Sequence, residues 1–169
     1  MNHVKRVSTA ILPGIGLALL GATASAVDLR DWGRKYVASE RFIVLPQFNN
    51  QAVLDKETQL VWQRSVGFNA ANWAAAMGAC RGVFAGGRGG WRLPSISELQ
   101  SLAADNGVLP TGHPFQNLPS NGNFWSSTEL ASDATRVYAG TPMIGGLYHQ
   151  PLKTNTSYYI LCVRGPSAE

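Results

Sequence analysis

Two cysteines, Cys80 and Cys162, are the whole cysteine complement of this 169-residue chain, and what they can do depends on the compartment in which the chain folds. Lys5 and Arg6 open a short basic stretch, Val7 to Ala22 is mostly apolar and uncharged, and Ala24-Ser25-Ala26 places small residues around a cleavage position before Val27. Basic, then apolar, then small-x-small is the layout of a secretory signal peptide, here expected to be removed after Ala26. The uncharged stretch of ~16 residues is interrupted by Pro13, Gly14 and Gly16, whereas a membrane-spanning helix needs about 20. No cysteine lies near the cleavage position to take a lipid. The expectation is a periplasmic or secreted protein with no membrane span after processing. In an oxidising compartment two cysteines ordinarily pair, and two buried free thiols are the alternative. A bridge would close a loop of about 80 residues, worth about 4 kcal/mol in the chain-entropy model.

The charge balance narrows the partners. Losing residues 1–26 removes two positive charges and no negative ones, taking the formal net charge from +4 to +2. The sequence pI of about 9.3 therefore overstates how basic the exported chain is. No clustered basic face of the kind nucleic acid requires is evident. Hydrophobic residues at 45% and charged residues at 14% exclude a disordered chain, and Leu, Glu and Lys do not dominate as in a coiled coil. The length suits one domain.

Four segments follow from this reading: the leader 1–26, a lead 27–41 with one amphipathic turn, a domain 42–165 and a tail 166–169. The domain opens on Phe42–Leu45, stopped by Pro46. Ala52–Leu54 and Leu60–Gln63 flank the polar turn Asp55-Lys56-Glu57-Thr58 and predict a hairpin. Asn69 is the expected cap of a helix over Ala70–Cys80, with Trp73, Met77 and Cys80 on its buried face. Ala85–Gly90 reads as a flexible loop. Ser95-Ile96-Ser97-Glu98 is a capping box, opening a second helix that carries Leu99 and Leu102 to about Ala104. A long Pro/Gly/Asn loop runs to Asn123. Short strands are then expected at Phe124–Thr128, Thr135–Ala139, Gly146–Gln150 and Tyr158–Val163. Strands following helices in this order predict an α+β fold.

Catalytic chemistry is thin. Gly86-Gly87-Arg88-Gly89-Gly90 lacks the Lys-Ser/Thr of a phosphate-binding loop, since Trp91 follows. No serine elbow occurs, and His113, between Gly112 and Pro114, reads as a turn residue. Asp55 and Glu57 share a turn and are expected to be solvated, while Glu98 is accounted for by capping. Asp105-Asn106 and Asp133 are too few oxygens for calcium, and no zinc-ligand spacing is present. No metal or cofactor is expected. Trp62, Trp73, Trp91 and Trp125 fall where strands or a helix would bury them, so core packing is favoured over sugar stacking. Arg64, Arg81, Arg88, Arg136 and Lys153 either converge on an anion or stand as scattered solvated charges.

Five phrases in register, LDKETQLVWQRS, NWAAAMGAC, GGRGGWRLPSISELQSL, GHPFQNLPSNGNFWSSTE and YYILCVRG, resemble the Lcl C-terminal domain family, named after the end domain of a bacterial collagen-like adhesin. Trp91-Arg92-Leu93-Pro94 before a capped helix also resembles the sulfatase-modifying domains, which are related to the C-type-lectin-like fold. The resemblance implies an α+β, C-type-lectin-like domain with two helices, a twisted antiparallel sheet and long loops. In lectin-like folds a long bridge ties the first helix to the last strand, which is where Cys80 and Cys162 fall. The adhesin domain is associated with trimerisation and with sulfated glycosaminoglycans. This chain has no collagen-like stalk, and Gln150-Pro151-Leu152 stops short of the calcium-lectin triplet. The paired active-site cysteines of the sulfatase-modifying enzymes are also missing.

The functional expectation is an exported, non-catalytic binding module, adhesin-like, for sulfated or acidic glycans or for a cell-envelope protein. Arg88, Arg136 and Lys153 are the expected ligand contacts. A structural or assembly subunit of the envelope is the competing reading, and a sulfatase-modifying-like enzyme a more distant one.

Overall fold

Short strands that are largely buried build most of the architecture. The computed structural model describes residues 36–67, 72–104, 106–141 and 147–165. The leader, the start of the lead, Asn69, Asp105 and the tail lie outside them. Strands β1 (Phe42–Val44), β2 (Ala52–Asp55), β3 (Val61–Gln63) and β7 (Val163–Arg164) form an antiparallel sheet in that order. Strands β4 (Phe124–Glu129), β5 (Val137–Thr141) and β6 (Leu147–His149) form a second one. Where one antiparallel sheet was expected, there are two, and the class is α+β as expected.

The segment Tyr158–Cys162 joins the two sheets. Trp125 N–H donates to the Tyr159 carbonyl and Tyr159 N–H to that of Asn123, while Gly67 N–H donates to the Ile160 carbonyl and Gln63 N–H to that of Cys162. Because its partners change almost residue by residue, this stretch forms single bridges instead of the continuous strand expected. Its side chains alternate: Ile160 and Cys162 face one core cluster with Trp91, Trp125 and Ala76, whereas Leu161 and Val163 face another with Trp62, Phe124 and Leu99. Both faces are thus buried, so these strands read as nearly continuous apolar runs.

One helix serves the first cluster; another, with Ala38 of a one-turn helix, serves the second. In α2 (Trp73–Arg81) Ala76 and Cys80 are buried, and Trp73 and Met77 pack half-buried against the first cluster. Its cap is Asn72, whose side chain accepts from the Ala75 N–H at 2.9 Å, so the helix starts three residues later than the sequence suggested. Trp73 N–H goes to the Lys153 carbonyl, which ties the first turn to a distant loop. Helix α3 (Ile96–Ser101) places Leu99 in the second cluster and has the expected capping box at Ser95 and Glu98. It ends earlier than expected, and the carbonyl of Ser101 in its last turn accepts from the Arg41 guanidinium.

Arg41 belongs to the one-turn helix α1 (Ala38–Arg41) and is 3% exposed. Its Nε and second amino group donate to the two carboxylate oxygens of Asp55 at 3.0 and 2.8 Å, and it pairs with Glu57 at 3.0 Å. Asp55 is fully buried, which corrects its expected solvation. Its carboxylate also accepts the Glu57 N–H and fixes the hairpin turn. Trp62, Trp91 and Trp125 are buried as expected, while Trp73 is half-buried with its ring N–H on the Ser126 carbonyl. Trp32 lies outside the described residues.

Cys80 and Cys162 form a disulfide with Cα atoms 5.4 Å apart. It fastens the end of α2 to the segment that joins the sheets. Replacing both by alanine is expected to cost about 4 kcal/mol and to lower Tm by on the order of 10 °C; calorimetry of the Cys80→Ala/Cys162→Ala variant checks it.

Glu98 does more than cap. Arg92 grips its two carboxylate oxygens at 2.6 and 2.7 Å, and Ser95 N–H donates to it at 2.7 Å. Burial opposes its ionisation, but the Arg92 guanidinium and the Ser95 N–H outweigh that and hold its carboxyl below the ordinary range. A depressed folded-state value means that stability is full above the ordinary glutamate value of about 4.3 and declines as pH falls through the folded one. Below pH about 4, Tm of the native protein should therefore fall faster than that of Glu98→Gln. Parallel slopes in a pH series would refute this.

Candidate functional site

A tight loop and a glycine turn meet across a cleft. Pro46 opens a 3-10 turn over Pro46–Phe48, after which Asn49 and Asn50 adopt left-handed backbone at φ 52° and 58°. Asparagine tolerates that region better than most residues do. The loop closes through Asn50 N–H to the Leu45 carbonyl and Gln51 N–H to that of Phe48, leaving Asn50 and Gln51 side by side. Facing them is Val83–Arg88, where Arg88 N–H returns to the Ala85 carbonyl at 3.1 Å. Gly86 N–H donates to the side-chain oxygen of Gln51 at 2.7 Å and clips the two together.

The space between has a volume of about 500 Å³, within the range of small-ligand sites. Amide side chains of Asn50, Gln51, Gln63 and Gln116 line it with Arg64 and Phe84. The Arg64 guanidinium is held by two backbone carbonyls, Nε on Pro114 at 3.1 Å and one amino group on Asn50 at 3.2 Å. Its other amino group has no protein acceptor among the described residues. Phe84 is 70% exposed. A Cβ on Gly89 would stand 3.5 Å from its ring, so Phe84 lies over Gly89. Among the described lining residues Arg64 is the only ionisable side chain, and planar amide groups with one guanidinium and one aromatic ring offer a ligand hydrogen bonds and a stacking face.

The expected contacts separate into two places. Arg136 and Lys153 come together, because Arg136 bridges to Leu152 and Lys153 N–H donates to the Thr135 carbonyl. Both are neutralised there: Arg136 pairs with Asp133 at 3.3 Å and Lys153 with Glu129 at 2.6 Å, the ammonium also lying 4.6 Å from the Trp73 ring centre. Arg88 stands apart, its guanidinium 4.9 Å from the centre of the Phe48 ring. Asp133 is spent within its own turn, accepting from the Thr135 N–H and hydroxyl, which with Arg136 keep its carboxyl low. His113 is half-buried, and burial lowers its pKa. Among the described residues no three His, Cys, Asp or Glu side chains gather as metal ligands, and no helix is long and apolar enough to cross a membrane.

A model of one family, the Lcl C-terminal domain, matches residues 51–164. The chain belongs to that family. No curated protein and no solved structure matches it. The family match begins at Gln51, so it takes in most of the cleft lining but leaves out Asn50 and the ring of Phe48. Of this lining the sequence offers only Arg64, as one of five scattered cations and not among the expected contacts Arg88, Arg136 and Lys153; it gives no sign of Phe84 or the four amides. Neutral amides carry no spacing signal, and Phe84 resembles a core residue until its exposure is known.

The Ala85–Gly90 stretch, expected to be a flexible loop, is a defined turn with Gly86, Gly87 and Gly90 at positive φ. A Cβ at Gly86 would lie 2.2 Å from Cα of Phe48, whereas one at Gly87 would meet nothing within 4 Å. Gly87→Ala should cost about 1 kcal/mol for its left-handed backbone alone. Gly86→Ala should cost clearly more, since backbone must move. Urea denaturation of the two variants decides it, and equal losses would contradict this loop geometry.

Proposed function

We propose that the protein is an exported, non-catalytic binding module that recognises an acidic glycan in the cleft between the Pro46–Gln51 loop and the Val83–Arg88 turn. The observation that carries this reading is the lining: four amide side chains and a fixed guanidinium beside an exposed phenyl ring. Amides and guanidinium offer paired donors and acceptors to neighbouring hydroxyls, and an aromatic face covers the apolar side of a sugar ring. The leader-like segment and the disulfide support an extracytoplasmic location. Non-catalysis is supported by the single ionisable group in the cleft and by two cysteines that are bonded to each other and offer no reactive thiol. An envelope protein is the competing partner, and one experiment separates the two.

Screening the purified protein on a glycan array at low and moderate salt should give binding to sulfated or uronic-acid glycans that weakens as salt rises. Phe84→Ala should reduce affinity up to about tenfold, the equivalent of one aromatic contact, with Tm unchanged. An array without hits, followed by recovery of an envelope protein on the wild type but not on Phe84→Ala, would transfer the cleft to a protein partner.

A further inference from the structure

Arg41, Arg92, Arg136 and Lys153 each hold a carboxylate. Arg88 and Arg164 hold none among the described residues, yet they are gathered on one ring. Their guanidinium carbons lie 4.9 and 5.4 Å from the centre of Phe48, so the two are no more than about 10 Å apart. Arg164 is also 5.9 Å from the Trp91 ring centre, and one of its amino groups is buried with no acceptor among the described residues. With both guanidiniums on one ring and no carboxylate on either among the described residues, the positive charge there is uncompensated.

Both are presented by fixed backbone. Arg164 lies on β7, paired with Val61. Arg88 closes the turn from Ala85, and the Trp91 ring N–H donates to its carbonyl at 2.7 Å. The same two loops line the cleft, for Phe48 precedes Asn50 and Gln51, and Ala85 is three residues before Arg88. We propose that Arg88 and Arg164, gathered on Phe48, form an oxyanion subsite beside the cleft that takes a sulfate or carboxylate substituent of the bound ligand. Guanidinium groups suit such oxygens through paired N–H donors. The assignment rests on the glycan reading for the nature of the natural ligand. It replaces Arg136 and Lys153, whose charges are already matched.

Inorganic sulfate is the probe, titrated into the ¹⁵N-labelled protein at constant ionic strength. The Nε–H signals of Arg88 and Arg164 should move together and saturate with one dissociation constant. Arg88→Gln, at an exposed position, should weaken the Arg164 response at least threefold. Arg88→Lys, which keeps the charge, should retain most of it, and Arg136→Gln should leave it unchanged. An Arg164 signal indifferent to sulfate, or equally responsive in Arg88→Gln, overturns the subsite. Sulfate binding here with no glycan bound would leave the subsite standing and sink the glycan reading. Glycan binding sensitive to Phe84→Ala, with Arg88 and Arg164 silent to sulfate and glycan alike, would do the reverse.

Discussion

The segment Tyr158–Val163 is the part on which the rest of the structure depends. It hydrogen-bonds in turn to Asn123 and Trp125, to Gly67, to Gln63 and to Arg92, and its one cysteine is bonded to α2. Its alternating side chains feed both core clusters. The first sheet gains its last strand only from β7 at the end of this segment, and the second is tied to it by the Phe124–Tyr159 bridge, so these contacts are long-range in sequence. Loop closure on that scale is unfavourable until the contacts form, and a covalent link at Cys162 offsets part of it in the folded balance.

Charge is distributed with equal economy. Cations that serve the fold are matched by acids: Arg41 at the hairpin turn, Arg92 at the second helix, Arg136 and Lys153 on the far loops. Those around the cleft rest instead on backbone carbonyls or aromatic rings, Arg64 on the former and Arg88 and Arg164 on the latter. Carbonyls and ring faces position a guanidinium without cancelling its charge. The small net charge of the chain therefore conceals a local imbalance, which a sum over the sequence cannot register.

How much of this the sequence discloses depends on the range of the interaction. The hairpin at Asp55–Leu60 and the capping box at Ser95–Glu98 are local, and both are where the sequence puts them. The cysteine pairing is the one the count of two allows. The first turn of α2 and the last of α3 hydrogen-bond to Lys153 and Arg41, partners far away in the chain that no local pattern announces. Asp55 looks like a solvated turn carboxylate because nothing local announces Arg41. The binding surface is the least apparent, since Gln51, Arg64, Phe84 and Gln116 come from four separate stretches and none is unusual in its own neighbourhood.

The buried Arg41–Asp55 pair also bears on where this fold can be cut. The family match opens at Gln51, after Arg41 and the whole of β1. A fragment trimmed to that boundary would keep Asp55 in a dry pocket with its counter-charge gone, and would bare one edge of β2. Isolated buried charge and an unprotected strand edge are the usual ingredients of insoluble protein. The unit to express or to fuse is therefore longer at its N-terminal side than the recognisable motif, by at least the turn of helix that carries Arg41.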